Sequence, residues 1–352
     1  MSSMPPDDVI LQAQGLTRQF RSGGSLIGGA HTVTAVDGID LEIRRGQIFA
    51  VVGESGSGKT TLGRMLAGLL RPTSGGVFYR GRDIAALDRR ERADFRRRMQ
   101  IVFQDPYSSL DPRMRIGAQI REPLDIHRIG TPAERRKRVD ELLERVGMAP
   151  SYANAFPAEL SGGQRQRVGI AMALASSPEV IVADEPTSAL DVSVQAQVLN
   201  LLAELQRENN LTIVFITHDL GVVQHFSDRV AVMYLGRIVE EMDTAPLFAD
   251  PRHPYTRMLF SAIPDRDPSR AAPLQMPTGE PPSPLAPPPG CTFHPRCPVA
   301  LDACSAVQPA LVGAGNRHLT ACIRVGPDGA RAPVAGAAPS PIREATLSGA
   351  LP

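Results

Sequence analysis

Gly53-Glu54-Ser55-Gly56-Ser57-Gly58-Lys59-Thr60 follows the apolar run Gln47–Val52 and precedes a helical pattern over Thr60–Leu70. A strand, a glycine-rich turn and a helix in that order form the context in which G-x4-G-K-S/T binds phosphate. Gly53, Gly56 and Gly58 let the backbone turn its N–H groups inward, and the helix N-terminus adds partial positive charge. Lys59 can reach the outer phosphates as a point charge, and the Thr60 hydroxyl suits Mg²⁺; Glu54, Ser55, Ser57 and Thr61 complete the expected contact set. The alternative is a glycine turn without a ligand. Lysine usage argues against it: among 38 Lys and Arg residues only Lys59 and Lys137 are lysines.

Beyond this stretch, short β-branched runs recur at Gln100–Phe103, Val180–Ala183, Thr212–Thr217 and Arg229–Met233, with helical stretches at Gly163–Ser176 and Val194–Glu208. Unbroken apolar strands such as VIVA and TIVFI fit a parallel sheet covered on both faces, so the fold class is α/β. Between 105 and 165 the strand signal stops. There Ile116–Arg128 and Pro132–Val146 read as helices, the second capped by Thr131 with Glu134 three residues on. The strand Val180–Asp184 ends in two acids: Asp184 is placed for Mg²⁺ or its water shell, and Glu185 for orienting and deprotonating a water beside a γ-phosphate. No N-K-x-D stretch exists, which disfavours guanine nucleotides.

The 352 residues carry a net charge of +1 and are 42% hydrophobic. That excludes wholesale disorder and argues against a nucleic-acid coat. The Arg-rich run Arg89–Arg98 is interrupted by Glu91, Asp94 and Phe95 and reads as a solvated helix face. No apolar stretch approaches the roughly 18 residues of a membrane span, and the N-terminus lacks a secretion-signal plan, so the expected compartment is the cytoplasm.

Leu160-Ser161-Gly162-Gly163-Gln164 opens a helix. With the phosphate loop before it and Asp184-Glu185 after it, the order resembles the ATP-binding-cassette (ABC) ATPases over residues 9–252. The resemblance implies a P-loop α/β core with an N-terminal antiparallel β portion and a helical insert. It implies that Phe20 stacks on adenine, that Gln104 touches Mg²⁺ and the attacking water, that Ser188-Ala189-Leu190-Asp191 is the D-loop and that His218 contacts the γ-phosphate. It also implies that the LSGGQ turn serves the ATP of a partner cassette.

Four cysteines, Cys291, Cys297, Cys304 and Cys322, are confined to the C-terminal end. By spacing alone an iron–sulfur cluster, zinc and unligated thiols all stay open. His253–Pro264 and Gly290–Pro298 resemble the C-terminal extension of ATPases from oligopeptide/dipeptide importers, closest to the second, F-type member of the pair. That extension would span 253–325, with a Pro-rich linker over 264–290, the cysteine module over 291–322 and a disordered tail over 326–352. The resemblance implies a [4Fe–4S] cluster on the four cysteines, with zinc as the alternative. It further implies a peripheral subunit on the cytoplasmic face of the membrane, paired with a sister ATPase, two permeases and an extracytoplasmic binding protein, and no nucleic acid. The region Asp105–Arg121 would meet a permease. The rival reading is an ABC ATPase of translation or DNA repair.

Overall fold

The structure is a computed structural model and describes residues 8–22, 31–105, 109–262, 279–313 and 317–326. Two long antiparallel strands come first, β1 (Val9–Ser22) and β2 (His31–Arg44). β3 (Ile48–Val52) follows, and its side chains divide between two cores. Ile48, Ala50 and Val52 enter one apolar cluster and Phe49 and Val51 the other, the two-residue alternation of a strand buried on both faces.

The chain continues through α1 (Lys59–Leu66), β4 (Ser74–Tyr79), β5 (Arg82–Asp83), α2 (Arg89–Arg98) and β6 (Met99–Val102). The helical insert holds α3 (Ile116–Ile126) and α4 (Pro132–Arg145) and leads into α5 (Gly162–Ala175). Then come β7 (Val180–Asp184), α6 (Val192–Asn209), β8 (Thr212–Thr217), α7 (Leu220–Phe226), β9 (Arg229–Tyr234) and β10 (Arg237–Asp243). Helices α8 (Thr244–Ala249) and α9 (Pro254–Ser261) and two short strands, β11 (Val312–Gly313) and β12 (Leu319–Thr320), follow.

The main sheet has the order β11-β12-β10-β9-β3-β8-β7-β6, and its five strands from β9 to β6 are parallel. A separate antiparallel sheet, β2-β1-β4-β5, lies across α1, which touches both. The expected α/β core, N-terminal antiparallel portion and helical insert are therefore all present. Boundaries moved where local chemistry decided them. α1 stops at Leu66 because Gly68 turns left-handed at φ +70°, not at Leu70 as periodicity implies. α4 starts where expected: Thr131 and Glu134 exchange hydrogen bonds of 3.3 and 2.6 Å in a capping box. α2 buries only Phe95 and leaves its six arginines at the surface side.

The C-terminal extension docks on the cassette's own sheet. β12 pairs with β10, Thr320 opposite Glu240 and Leu319 opposite Glu241. Glu240, fully buried, accepts from the N–H groups of Arg252 (2.6 Å) and His253 (3.0 Å) and lies 2.6 Å from His318 Nε2. Arg229 spans the same seam, donating to Glu241 (2.7 Å), Asp243 (2.8 Å) and the Arg317 carbonyl (3.0 Å). A buried carboxylate and guanidinium are tolerated here because each has several partners. Most of the Pro-rich linker, 263–278, and the tail from 327 lie outside the described residues.

Candidate functional site

The loop after β3 is shaped by two glycines in conformations that side chains avoid. Gly53 has φ +155° and Gly58 φ +105°, and an added Cβ would stand 2.1 Å from the Met233 and Ala35 carbonyl oxygens respectively. Lys59 is the first residue of α1 and buried; its Nζ donates to the carbonyls of Gly53 and Glu54, both at 2.9 Å. Burial lowers its pKa, while the negative charges of Glu185, Asp184 and Glu54 pull the other way. Ser57 Oγ is buried in the loop without a hydrogen-bond partner, and unlike its neighbours Ser57 does not line the cavity, so its expected contact with the ligand is not seen for the side chain.

Asp184 ends β7 and is buried; the Thr60 hydroxyl donates to it at 3.0 Å. Burial raises the Asp184 pKa against the effect of that bond and of Arg64. A hydroxyl beside a buried carboxylate is a donor set that hard oxygen-seeking cations use, so these residues fit Mg²⁺. Next along the chain Glu185 adopts φ +46°, rare for a residue with a side chain, and its N–H is tied to the Ile216 carbonyl at 2.8 Å. That turn carries its carboxylate off the strand. Gln104 Nε2 donates to one oxygen at 2.9 Å, and His218 Nδ1 lies 3.1 Å from the other.

Most of these groups line one cavity of about 790 Å³, with Asp184 behind its wall on Thr60. Gly53 to Gly56, Gly58 to Thr61, Gln104, Glu185 and His218 line it, with Ala35, Leu220 and Leu259, which the sequence did not single out. Phe20 does not line it. It sits across from Val33 on the β1–β2 ribbon, half-exposed, with the Arg18 guanidinium 4.6 Å over its ring.

The Leu160–Gln164 turn is also absent from the cavity wall. Ser161 caps α5, accepting from the Gln164 N–H (3.3 Å), and the Gln164 side chain accepts from the Ser161 N–H (2.9 Å). Gly163 is fixed by packing: a Cβ there would meet Val194 Cγ1 at 2.3 Å. Ser188 donates to the Glu185 carbonyl at 3.1 Å, and Asp191 caps α6 through the Val194 N–H at 3.0 Å. The residues from 188 to 191 therefore join the Glu185 turn directly to the helix that packs on Gly163.

Comparison with known proteins agrees with this geometry. The ABC transporter family model matches residues 36–188, and that of the oligopeptide/dipeptide transporter C-terminal region matches 239–304. A probable peptide ABC transporter ATP-binding protein of Sinorhizobium fredii is 49% identical over 97% of this chain and 95% of its own. The chain belongs to the oligopeptide/dipeptide ABC transporter ATP-binding proteins. The oligopeptide transport ATP-binding protein AppF of Bacillus subtilis is 49% identical over 82% of this chain and 89% of its own. A dimeric ATP-binding cassette solved with ADP and phosphate shares 32% identity at a TM-score of 0.60, covering 67% of this chain and 99% of that one. This ABC ATPase is thus the ATP-binding subunit of a peptide importer, which sets aside the translation or repair alternative. Among its described residues no helix is long and apolar enough to cross a membrane.

The metal expectation for the extension of this importer subunit needs correction. Among the described residues no three His, Cys, Asp or Glu side chains converge to hold a metal ion, and Cys291, Cys297, Cys304 and Cys322 are free thiols. The cysteines do feel one another: burial, and then the neighbouring thiols, push Cys297 up to about 11 and raise Cys291 and Cys322. Cys304 is buried, with the Leu301 N–H 3.4 Å from its sulfur, whereas the other three are partly exposed. Sulfur chemistry suits an iron–sulfur cluster or zinc, but this placement does not form a ligand set for either.

Proposed function

We propose that ATP binds in the Lys59 cavity and is hydrolysed there with Glu185 as general base, when the LSGGQ turn of a second cassette closes over the phosphates. The supporting observation is the Glu185 carboxylate, held between Gln104 and His218 over the phosphate loop. The loop amides and Lys59 hold the phosphates, Lys59 exchanging its two carbonyl partners for phosphate oxygens. Glu185 takes a proton from the attacking water. The water oxygen bonds to the γ-phosphorus as the bridging P–O bond breaks, and ADP leaves with the electron pair. Gln104 orients the water and His218 steadies the γ-phosphate. Thr60, Asp184 and Gln104 would hold Mg²⁺, which supplies charge neutralisation on the β- and γ-phosphates when bound. Adenine stacks on Phe20 in place of Arg18.

A second helix N-terminus must come from outside this chain, since its own LSGGQ turn stands away from the cavity. Ser161 to Gln164 therefore serve the partner's ATP, and Ser188 to Asp191 link the two sites. The partner is a sister ATPase, and the pair sits on two permeases at the cytoplasmic face, with an extracytoplasmic binding protein choosing the cargo. The segment 105–121 meets a permease, next to the exposed Phe103; residues 106–108 of it lie outside the described residues. Ser161→Arg tests this arrangement. The isolated chain should bind ATP unchanged, while turnover of the co-expressed transporter falls about a hundredfold, as expected for losing a transition-state donor. Loss of ATP binding by the isolated chain would contradict closure by a second molecule.

A further inference from the structure

Glu54 is an acid on a loop that must hold a polyanion, and a free carboxylate there would repel the phosphates. The fold takes that charge out of play. Arg296 sets its fork on the carboxylate, with Nη1 2.8 Å from Oε2 and Nη2 3.1 Å from Oε1. The Arg296 side chain is only 4% exposed, and Nη1 also reaches the Tyr234 hydroxyl at 3.5 Å. The backbone of Glu54 is held as well. Its N–H donates to the hydroxyl of buried Tyr255 at 2.9 Å, and its carbonyl accepts from Lys59 Nζ at 2.9 Å. Tyr255 packs on Tyr234 and Phe293, with ring centroids 4.5 and 5.4 Å away. The Ser57 N–H also donates to the Glu54 carbonyl at 3.2 Å, so the holds from outside the loop and its helix, Arg296 and Tyr255, both come from the C-terminal extension, which also contributes Leu259 to the cavity wall.

We infer that Arg296 and Tyr255 are positioning residues of the ATP site: the extension completes the phosphate loop by fixing the Glu54 peptide and cancelling its carboxylate beside the polyphosphate. The inference rests on the ATP reading of the cavity and deepens it, because the cassette alone then lacks part of its site. Neither residue lines the cavity. Arg296→Ala strips the counter-charge from Glu54, so ATP should bind the full-length chain about tenfold more weakly, the scale of one charge-assisted hydrogen bond.

Titration calorimetry of ATP into the full-length chain measures this, alongside KM and kcat of the assembled transporter. KM should rise with kcat nearly constant, because the loss falls on loop charge before chemistry begins. Adding Glu54→Gln to Arg296→Ala removes the stranded charge and should restore affinity to within about threefold of the parent. Should Arg296→Ala melt below the assay temperature, Arg296→Met refills the volume and carries the same comparison. An Arg296 variant that binds ATP like the parent overturns the inference, and so does a double variant no better than the single. A parent chain that binds no ATP would instead sink the reading of the cavity.

Discussion

Lys59 is held ready by two carbonyls of its own loop, so its ammonium already points to where phosphate oxygens would lie. Lys59→Ala removes the only side-chain cation that the cavity wall contributes among its described residues. ATP affinity should fall ten- to a hundredfold, the range for losing a hydrogen bond to a charged group, with a modest fall in melting temperature because the Gly53 and Glu54 carbonyls lose their donor. Fluorescent-nucleotide titration and a thermal melt check both halves. At this scale the sequence was readable wherever a residue acts through its immediate neighbours. Thr60, Asp184 and Glu185 announce themselves by strand, glycine and acid order. Arg296 did not, because the partner that gives it meaning lies 242 residues away in the chain. Ala35 and Leu259 carry no chemical signal at all; only packing brings them to the cavity.

Elements were legible where periodicity and caps agree, as in α4, and less so where glycines or partner strands decide the end, as in α1. The short strands β11 and β12 have too few residues for any pattern, and β12 exists because β10 offers it an edge. In α5, Gly163→Ala drives a Cβ into Val194 Cγ1 at 2.3 Å, and β-branched valine on a helix yields little. Overpacking should lower stability by about 1–3 kcal/mol, visible in denaturant unfolding, whereas Gly169→Ala in the same helix, which meets nothing within 4 Å, should not.

Helix α9 has the fully buried His253 as its N-cap. Its Nδ1 accepts the Tyr255 N–H at 3.1 Å, and burial lowers its pKa from 6.5 to about 4 against the pull of Glu240. Between those values the unfolded chain takes a proton that the folded chain refuses. Stability should therefore be complete above pH 6.5 and decline as pH falls toward 4, by about 3 kcal/mol in all. Thermal melts across that window should show the slope in the parent and lose it in His253→Gln. Equal slopes would remove His253 as the cause.

At the scale of the whole molecule, motif order and its resemblance to a known family pointed to the cassette and the extension, yet presented them as neighbours on a string. The structure makes them one body: the extension lengthens the main sheet, buries Phe293 in the core beneath it and reaches the phosphate loop. Distant pairings of this kind leave no local trace, and the cysteine spacing drew attention to metal when the docking contacts are aromatic and ionic. The LSGGQ turn shows the opposite limit. Its capped helix start is legible, but it does not line this chain's own cavity, and under the proposed function its target is the ATP of a second cassette.

Hydrolysis by the Glu185 carboxylate is the claim on which the rest stands, and phosphate release from the assembled transporter carrying Glu185→Gln tests it most directly. ATP should still bind with the parent's affinity while release slows by about a hundred- to ten-thousandfold, the contribution of a positioned general base. Undiminished release would contradict that claim.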